Sequence, residues 1–254
     1  MRVGGCPSRS GARVAKAPDV APASATLVRM CIRLNQHLTR LERREFQRTG
    51  VIPDWWVGQF NVGFTAPTLM LVRDSGGRLV SEFARWGLVP SWSSGPEDPR
   101  CRDSFHARGE TLHQKPSFRE ALLARRCVIP VAGFFVLEDI GRGERQTWYV
   151  KHAEGELLLL AGLYELWTRG DETVRSVAVV TSPPTELVAR VHDRMAVVLD
   201  EPGACQWLDQ GGQAMLRPCP ENWLTMYPVS DYATRPQSAG PRCIEPVNPQ
   251  KFLF

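Results

Sequence analysis

Hydrophobic positions along this chain fall mostly in short runs broken by turn residues, a pattern that predicts strands more often than helices. Leu69 to Arg73 and Leu79 to Trp86 read as two strands around the turn Asp74-Ser75-Gly76-Gly77. Arg126 to Val131 and Phe134 to Leu137 read as strands broken by Ala132-Gly133, and Ser176 to Thr181 as a strand of the fully buried type. Thr147 to Lys151 and Leu157 to Leu163 predict a hairpin around Glu154-Gly155. A strand is also expected over Ala196 to Leu199.

Helical period appears over Leu34 to Arg48, where Leu34, Leu38, Leu41 and Phe46 share a face and Thr49-Gly50 stops the pattern. Short helices are expected from Pro116, with Ser117 as N-cap, over Pro184 to Val191, and over Gly203 to Leu208. Ser93 to Asp103 reads as a polar loop, and Tyr227-Pro228-Val229-Ser230 to Cys243-Ile244-Glu245-Pro246 as an irregular tail. Many short strands with scattered helices and no βαβ alternation predict an α+β fold. The expected form is a single domain with a curled, largely antiparallel, barrel-like sheet and peripheral helices.

Composition changes along the chain. Residues 1–29 are rich in Ala, Arg, Pro, Gly and Ser and lack aromatic residues. They hold too little apolar surface to offset the entropy of ordering, so they predict a disordered extension or a mis-assigned start. The domain is expected over 30–248, with a tail at 249–254. The net charge of +4 permits a nucleic-acid partner without requiring one. The seven cysteines never occur as C-x-x-C, which indicates neither a disulfide framework nor a zinc site. No metal or cofactor is expected, no apolar run is long enough for a membrane span, and a reducing cytosol is the simpler home.

Met30-Cys31 stands where the composition changes. If the chain began at Cys31, that residue would carry a free α-amine beside its thiol. An α-amine has a pKa of about 7.7–8.0 and is partly neutral at physiological pH, so it can attack an aldehyde to give a Schiff base. The thiol can then add to the imine and close a five-membered thiazolidine, a closure favoured by proximity. The plainer reading of Cys31 is a small buried hydrophobe.

Nine stretches in order resemble one family. They are Trp86-Gly87-Leu88-Val89-Pro90-Ser91-Trp92, Ala107-Arg108 with Glu110-Thr111, Pro116-Ser117-Phe118-Arg119, Arg125 to Pro130, Gly133-Phe134-Phe135, Ala161 to Glu165, His192-Asp193-Arg194-Met195, Tyr227 to Ser230, and Cys243 to Pro246. Together they are similar to the SOS response-associated peptidase or abasic-site processing (SRAP) family, from about Met30 to Pro246.

The resemblance implies an enzyme of the DNA-damage or SOS response, monomeric and at the nucleoid of a bacterial cytosol. It would bind single-stranded DNA at an abasic site and link to it covalently through an N-terminal Cys, here Cys31. It implies an acid/base role for His192, which could otherwise be a structural His bonded to Asp193. It implies phosphate contacts for Arg33 and Arg108, since a guanidinium fork grips phosphate without reading sequence. Trp92 and, less so, Trp86 are candidates for base stacking, although such Trp are often core.

Three positions depart from the family pattern. His106 stands where the family has an Asn that helps hold the Cys. Val136 stands where it has a Glu that promotes ring opening, with Leu137 for the following aromatic. Ile32 replaces a Gly beside the nucleophile. Glu138 lies two residues after Val136, on the same strand face. It is either the replacement carboxylate or a surface Glu at a strand end. These departures keep two alternatives open: a catalytically impaired single-strand-binding module, and a thiol peptidase, general or self-processing, built on Cys31 and His192.

Overall fold

The computed structural model describes residues 33–38, 52–53 and 56–248. The segment 1–29, Met30-Cys31, Ile32 and the tail 249–254 lie outside the described residues. Twelve strands and three α-helices are present among those described. The strands are β1 (Arg33–Asn35), β2 (Pro67–Arg73), β3 (Leu79–Trp86), β4 (His106–Arg108), β5 (Arg126–Val131) and β6 (Gly133–Gly141). They continue with β7 (Glu144–His152), β8 (Leu158–Arg169), β9 (Glu172–Ser182), β10 (Met195–Ala196), β11 (Val198–Leu199) and β12 (Leu224–Val229). The helices are α1 (Pro116–Ala124), α2 (Glu186–Ala189) and α3 (Glu201–Asp209).

The strands make two sheets. The smaller runs β1-β6-β7-β12 and is antiparallel throughout. The larger runs β10-β9-β3-β2-β5-β8-β11, and β8 also pairs with β9. That last pairing closes a circuit β9–β3–β2–β5–β8–β9, the barrel-like curl expected of an α+β single domain. Most of its pairs are antiparallel, while β3 and β4 each run parallel to β9.

The main core lies between the sheets. Leu34, Phe134, Val136 and Val150 of the small sheet meet Met70, Trp86, Ile129, Leu160, Val177 and Val179 of the large one, all fully buried. Alternate residues of the large sheet (Val128, Leu163, Ala178, Val180) pack instead against α1 and α3 through Phe118, Ala121 and Trp207. Alternate residues of the small sheet, Phe135 and Tyr149, are covered by the C-terminal segment through Ala233 and Cys243. Each sheet therefore has one face in the shared core and the other covered over part of its length, which explains the short apolar runs.

Several sequence expectations change here. Leu34 lies in strand β1, not at the head of a helix; residues 39–48 of that expected helix lie outside the described residues. Gln36 follows as a buried linker whose amide donates to the carbonyls of Leu69 and Pro130 and accepts from the Leu69 N–H. That side chain substitutes for a strand's backbone pairing. The turn at Glu154-Gly155 does not make a hairpin: β7 pairs with β6 and β12, β8 with β5, β9 and β11, so the turn carries the chain from one sheet to the other.

The short hairpins lie elsewhere, at Arg142-Gly143 and at Gly170-Asp171. Arg142 and Gly143 both have positive φ, 55° and 79°, as the tight hairpin turn requires. Helix α1 is entered from Lys115, with Pro116 in its first turn, so Ser117 is not its cap. The expected irregular tail opens with a regular strand, β12.

Candidate functional site

Two motifs far apart in sequence meet at the end of β9. Strand β4 runs beside it with His106 opposite Val179, Ala107 opposite Val180 and Arg108 opposite Thr181. Strand β10 pairs on the other side, with Met195 opposite Ser182 and Ala196 opposite Thr181. The corner His192-Asp193-Arg194 precedes β10. It follows α2, whose N-terminus is capped by Thr185 and by the Glu221 carboxylate, which accepts from the Glu186 N–H at 2.7 Å.

Arg194 ties the two motifs together. Its guanidinium donates to both carboxylate oxygens of Glu110, to the Thr181 carbonyl at 2.9 Å and to Thr181 Oγ1 at 3.1 Å. The Arg194 hydrogen bonds hold the Glu110 carboxyl below its ordinary value. His192 Nδ1 accepts from the Arg194 N–H at 3.0 Å, and Asp193 Oδ1 lies 3.2 Å from the same nitrogen. The Arg108 side chain is exposed, and its charge acts on the nearby Glu110, so its guanidinium is presented to solvent beside this corner.

His106 shares the face of Arg108 but is buried. Its ring meets Phe64 and Trp86 edge-on, with centroids 5.6 Å and 5.7 Å away. Where the family pattern has a small amide, this chain therefore places an aromatic-lined imidazole. Trp86 is wholly buried, its Nε1 donating to the Phe105 carbonyl at 2.9 Å. The expectation that it stacks on a base is corrected: no ring face is open to a ligand. Trp92 is 42% exposed, and the Arg100 guanidinium lies over its ring at 4.8 Å. Asp98 pins Arg100 from the side, at 3.0 Å and 2.6 Å.

On the small sheet, β1 brings Arg33 opposite Phe135 of β6. The Arg33 guanidinium donates to the Thr234 carbonyl at 2.9 Å and lies over Gly63, where a Cβ would come within 2.2 Å of Nη1. Burial pushes its pKa down, partly opposed by Cys243, yet Arg remains charged. Arg33 is thus a half-buried cation, less open to a ligand than Arg108.

Val136, at the place of the family Glu, is fully buried in the core between the sheets. Glu138, on the same face two residues on, is half-buried, and its Oε2 accepts from Trp148 Nε1 at 2.8 Å. It is not a free surface residue at a strand end: a cross-strand indole holds it. Cys31 lies outside the described residues. A cavity of about 460 Å³ opens behind Gly109, lined by Leu112, Leu122, Arg126 and Gln213 among others, but by none of the expected site residues.

The family follows from matches along this frame. The SRAP family model, described as SOS response associated peptidase, matches residues 30–236. The chain belongs to the SRAP family. It is 30% identical over 193 residues to the abasic site processing protein YoqW of Bacillus subtilis, covering 73% of this chain and 85% of that protein. It is 30% identical to the abasic site processing protein HMCES of Gallus gallus, covering 68% of this chain and 59% of that one. A solved structure of a protein from Bacteroides thetaiotaomicron shares the fold, with a TM-score of 0.73 at 18% identity over 86% of this chain and all of that one.

Within the SRAP frame, sequence reasoning passed over Arg194, Glu110, Thr181 and Trp148. The first two stood inside recognised motifs, but only the fold shows that they bond to each other. Trp148 had no signal, because its contact with Glu138 depends on the β6–β7 register. Among the described residues no group of three or more His, Cys, Asp or Glu could hold a metal ion, and no helix is long and apolar enough to cross a membrane.

Proposed function

We propose that this protein binds single-stranded DNA at abasic sites and captures the sugar aldehyde through Cys31, once that residue is the N-terminus. The observation that carries the reading is the meeting of the Arg108 and His192 motifs across Thr181, in a chain that belongs to the SRAP family. Curated members of the family are named abasic site processing proteins.

In this reading the Cys31 α-amine attacks the open-chain aldehyde, and loss of water gives an imine. The thiol then adds across the C=N bond: sulfur bonds to carbon, nitrogen takes the proton, and the ring closes as a thiazolidine. His192 moves the protons of addition and dehydration. Arg108, with help from Arg33, holds the backbone phosphates. Trp92 offers one ring face to an unpaired base, the other being occupied by Arg100. Glu138 takes the part of the missing carboxylate, with Trp148 fixing its oxygen. His106 packs where the family Asn would steady the N-terminal residue. In this reading the protein acts as a monomer.

Incubating protein expressed from Met30, with Met30 removed, with an abasic oligonucleotide should give a species stable to denaturation. It should be absent from Cys31→Ala and from protein that keeps residues 1–30. If the only complex is non-covalent, salt-sensitive and equally tight for intact DNA, the protein is a binding module and the capture chemistry is wrong. The buried Val136 favours that second reading, because it leaves no carboxylate at the family position. A peptidase role is tested by intact mass: retention of residues 1–30 on long incubation rules out self-processing.

A further inference from the structure

The imidazole of His192 has two nitrogens, and the corner around it treats them differently. At Nδ1 the Arg194 N–H donates at 3.0 Å, while the Arg194 carbonyl at 3.1 Å and Asp193 Oδ1 at 3.2 Å stand as acceptors. A neutral imidazole carries one N–H. When Nδ1 accepts from a backbone N–H it has no proton of its own, so the proton sits on Nε2. On protonation, the carbonyl and the Asp193 carboxylate are already in place to accept from a new Nδ1–H. One corner thus suits both charge states of the ring.

What keeps the Arg194 N–H aimed at the ring is not local. The four-residue helix and the exposed Asp193 give little hold on the backbone from the N-terminal side, and the β10 pairing begins only at Met195. The Arg194 side chain supplies the hold. It is only 12% exposed and is fastened to Glu110 and to Thr181, on two other elements. A bidentate fork on a carboxylate plus a backbone carbonyl defines position in more than one direction.

We infer that the Glu110–Arg194 ion pair is a positioning device for His192, one that fixes its neutral form as the Nε2–H tautomer. The catalytic meaning of this rests on the reading of His192 as the acid/base group, but the tautomer itself can be read without DNA. Neither Glu110 nor Arg194 needs to touch the reacting atoms. Their work is to leave Nδ1 occupied by the backbone and Nε2 as the nitrogen that exchanges protons. Glu110→Gln keeps the size and an acceptor but loses the charge, and Arg194→Lys keeps the charge but loses the fork.

The test is long-range ¹H–¹⁵N spectroscopy of ¹⁵N-histidine-labelled protein that begins at Cys31, above the imidazole titration range. The His192 signals are assigned by their loss in His192→Gln. The expected wild-type pattern is a bare Nδ1 and a protonated Nε2. In Glu110→Gln and Arg194→Lys the nitrogen shifts should move toward a tautomer mixture. The rate of covalent capture should fall roughly tenfold, with its pH profile displaced and DNA affinity unchanged. A wild-type Nδ1–H tautomer overturns the inference, as does the wild-type pattern in both variants. Protein that has the Nε2–H pattern yet forms no covalent species leaves this inference standing and overturns the proposed capture chemistry.

Discussion

Glu138 and Trp148 lie on adjacent antiparallel strands and meet at 2.8 Å, carboxylate to indole N–H. The pair occupies the face of β6 that also carries Val136. It places a fixed acid two residues from where the family has its Glu, and on the neighbouring strand an aromatic that Leu137 no longer supplies.

If Glu138 moves protons in aldehyde capture, Glu138→Gln should slow covalent capture by about 10²-fold, the lower bound for a positioned acid or base. The amide still offers the Trp148 indole an acceptor, so thermal stability should change little. Trp148→Phe removes only the fixing bond, and a smaller loss is expected. Capture kinetics on denaturing gels decide the matter: an unchanged rate in Glu138→Gln removes Glu138 from the mechanism.

Arg126 tests the scaffold apart from the chemistry. Its guanidinium donates to the Leu122 and Leu123 carbonyls at the end of α1, and to the Trp207, Leu208 and Asp209 carbonyls at the end of α3. One cation thus satisfies two helix C-termini, where carbonyls lack partners and the helix dipole is negative. Arg126→Met should cost roughly 2–4 kcal/mol in urea unfolding, from the lost charged hydrogen bonds and the orphaned carbonyls. A loss below about 0.5 kcal/mol, the range of an ordinary surface change, would show that water serves these carbonyls as well.

The Glu110–Arg194 pair predicts a pH dependence of stability. The folded Glu110 carboxyl titrates below its ordinary value, so the folded state favours its ionised form. Its contribution is therefore present above the unfolded pKa and is lost as pH falls through the lower folded one. The difference in Tm between wild type and Glu110→Gln should be constant from neutral pH down to the ordinary carboxylate range and shrink below it. A difference that grows on acidification contradicts the pairing.

Thiol labelling separates the cysteines. Cys127 and Cys219 are buried, and burial pushes both thiols up, Cys219 to about 11. Cys101 and Cys243 are buried and raised as well. Cys205 is exposed on α3. With iodoacetamide at mildly alkaline pH, Cys205 should react in native protein, while the four buried thiols should react only after denaturation. Fast modification of Cys127 in native protein would mean that the core opens.

Gly133 sets how closely β6 approaches β7. A Cβ there would lie 2.5 Å from the Tyr149 hydroxyl and 2.5 Å from the Val150 carbonyl, the latter being backbone that cannot swing aside. Tyr149 also receives the Asn35 amide at 2.8 Å, so the crowding would reach β1. Gly133→Ala should destabilise by about 1–3 kcal/mol, as overpacking does, measured by chemical denaturation. Full retention of stability would show that the strand can shift.

These elements also show how far the sequence could be read. The β2–β3 hairpin was legible because Asp74 makes its own turn, accepting from the Gly76 and Arg78 N–H groups, and because a strand-forming apolar run adjoins it on each side. β1 was not. It has three residues, its partner β6 begins almost a hundred residues on, and Leu34 with Leu38 fits helical spacing as well as it fits two separate core contacts. The hairpin expected at Glu154-Gly155 failed because a turn signal reports a reversal of the chain and not which sheet receives the next strand. At the site, Arg108 and His192 were visible as motif residues. The burial of Trp86, the grip of Arg194 on Glu110 and the reach of Trp148 to Glu138 arise from register between distant strands, which no local pattern encodes.

Arg33 hands a hydrogen bond to a carbonyl 201 residues further along the chain. For a protein made from its N-terminus at about 5–20 residues per second, that interval is roughly ten to forty seconds of synthesis. Until Thr234 leaves the ribosome, the strand that begins at Arg33 lacks this clasp, however early its first residues emerged. Synthesis therefore acts as a timer on this end of the domain: its last contact is made only when nearly all of the chain exists.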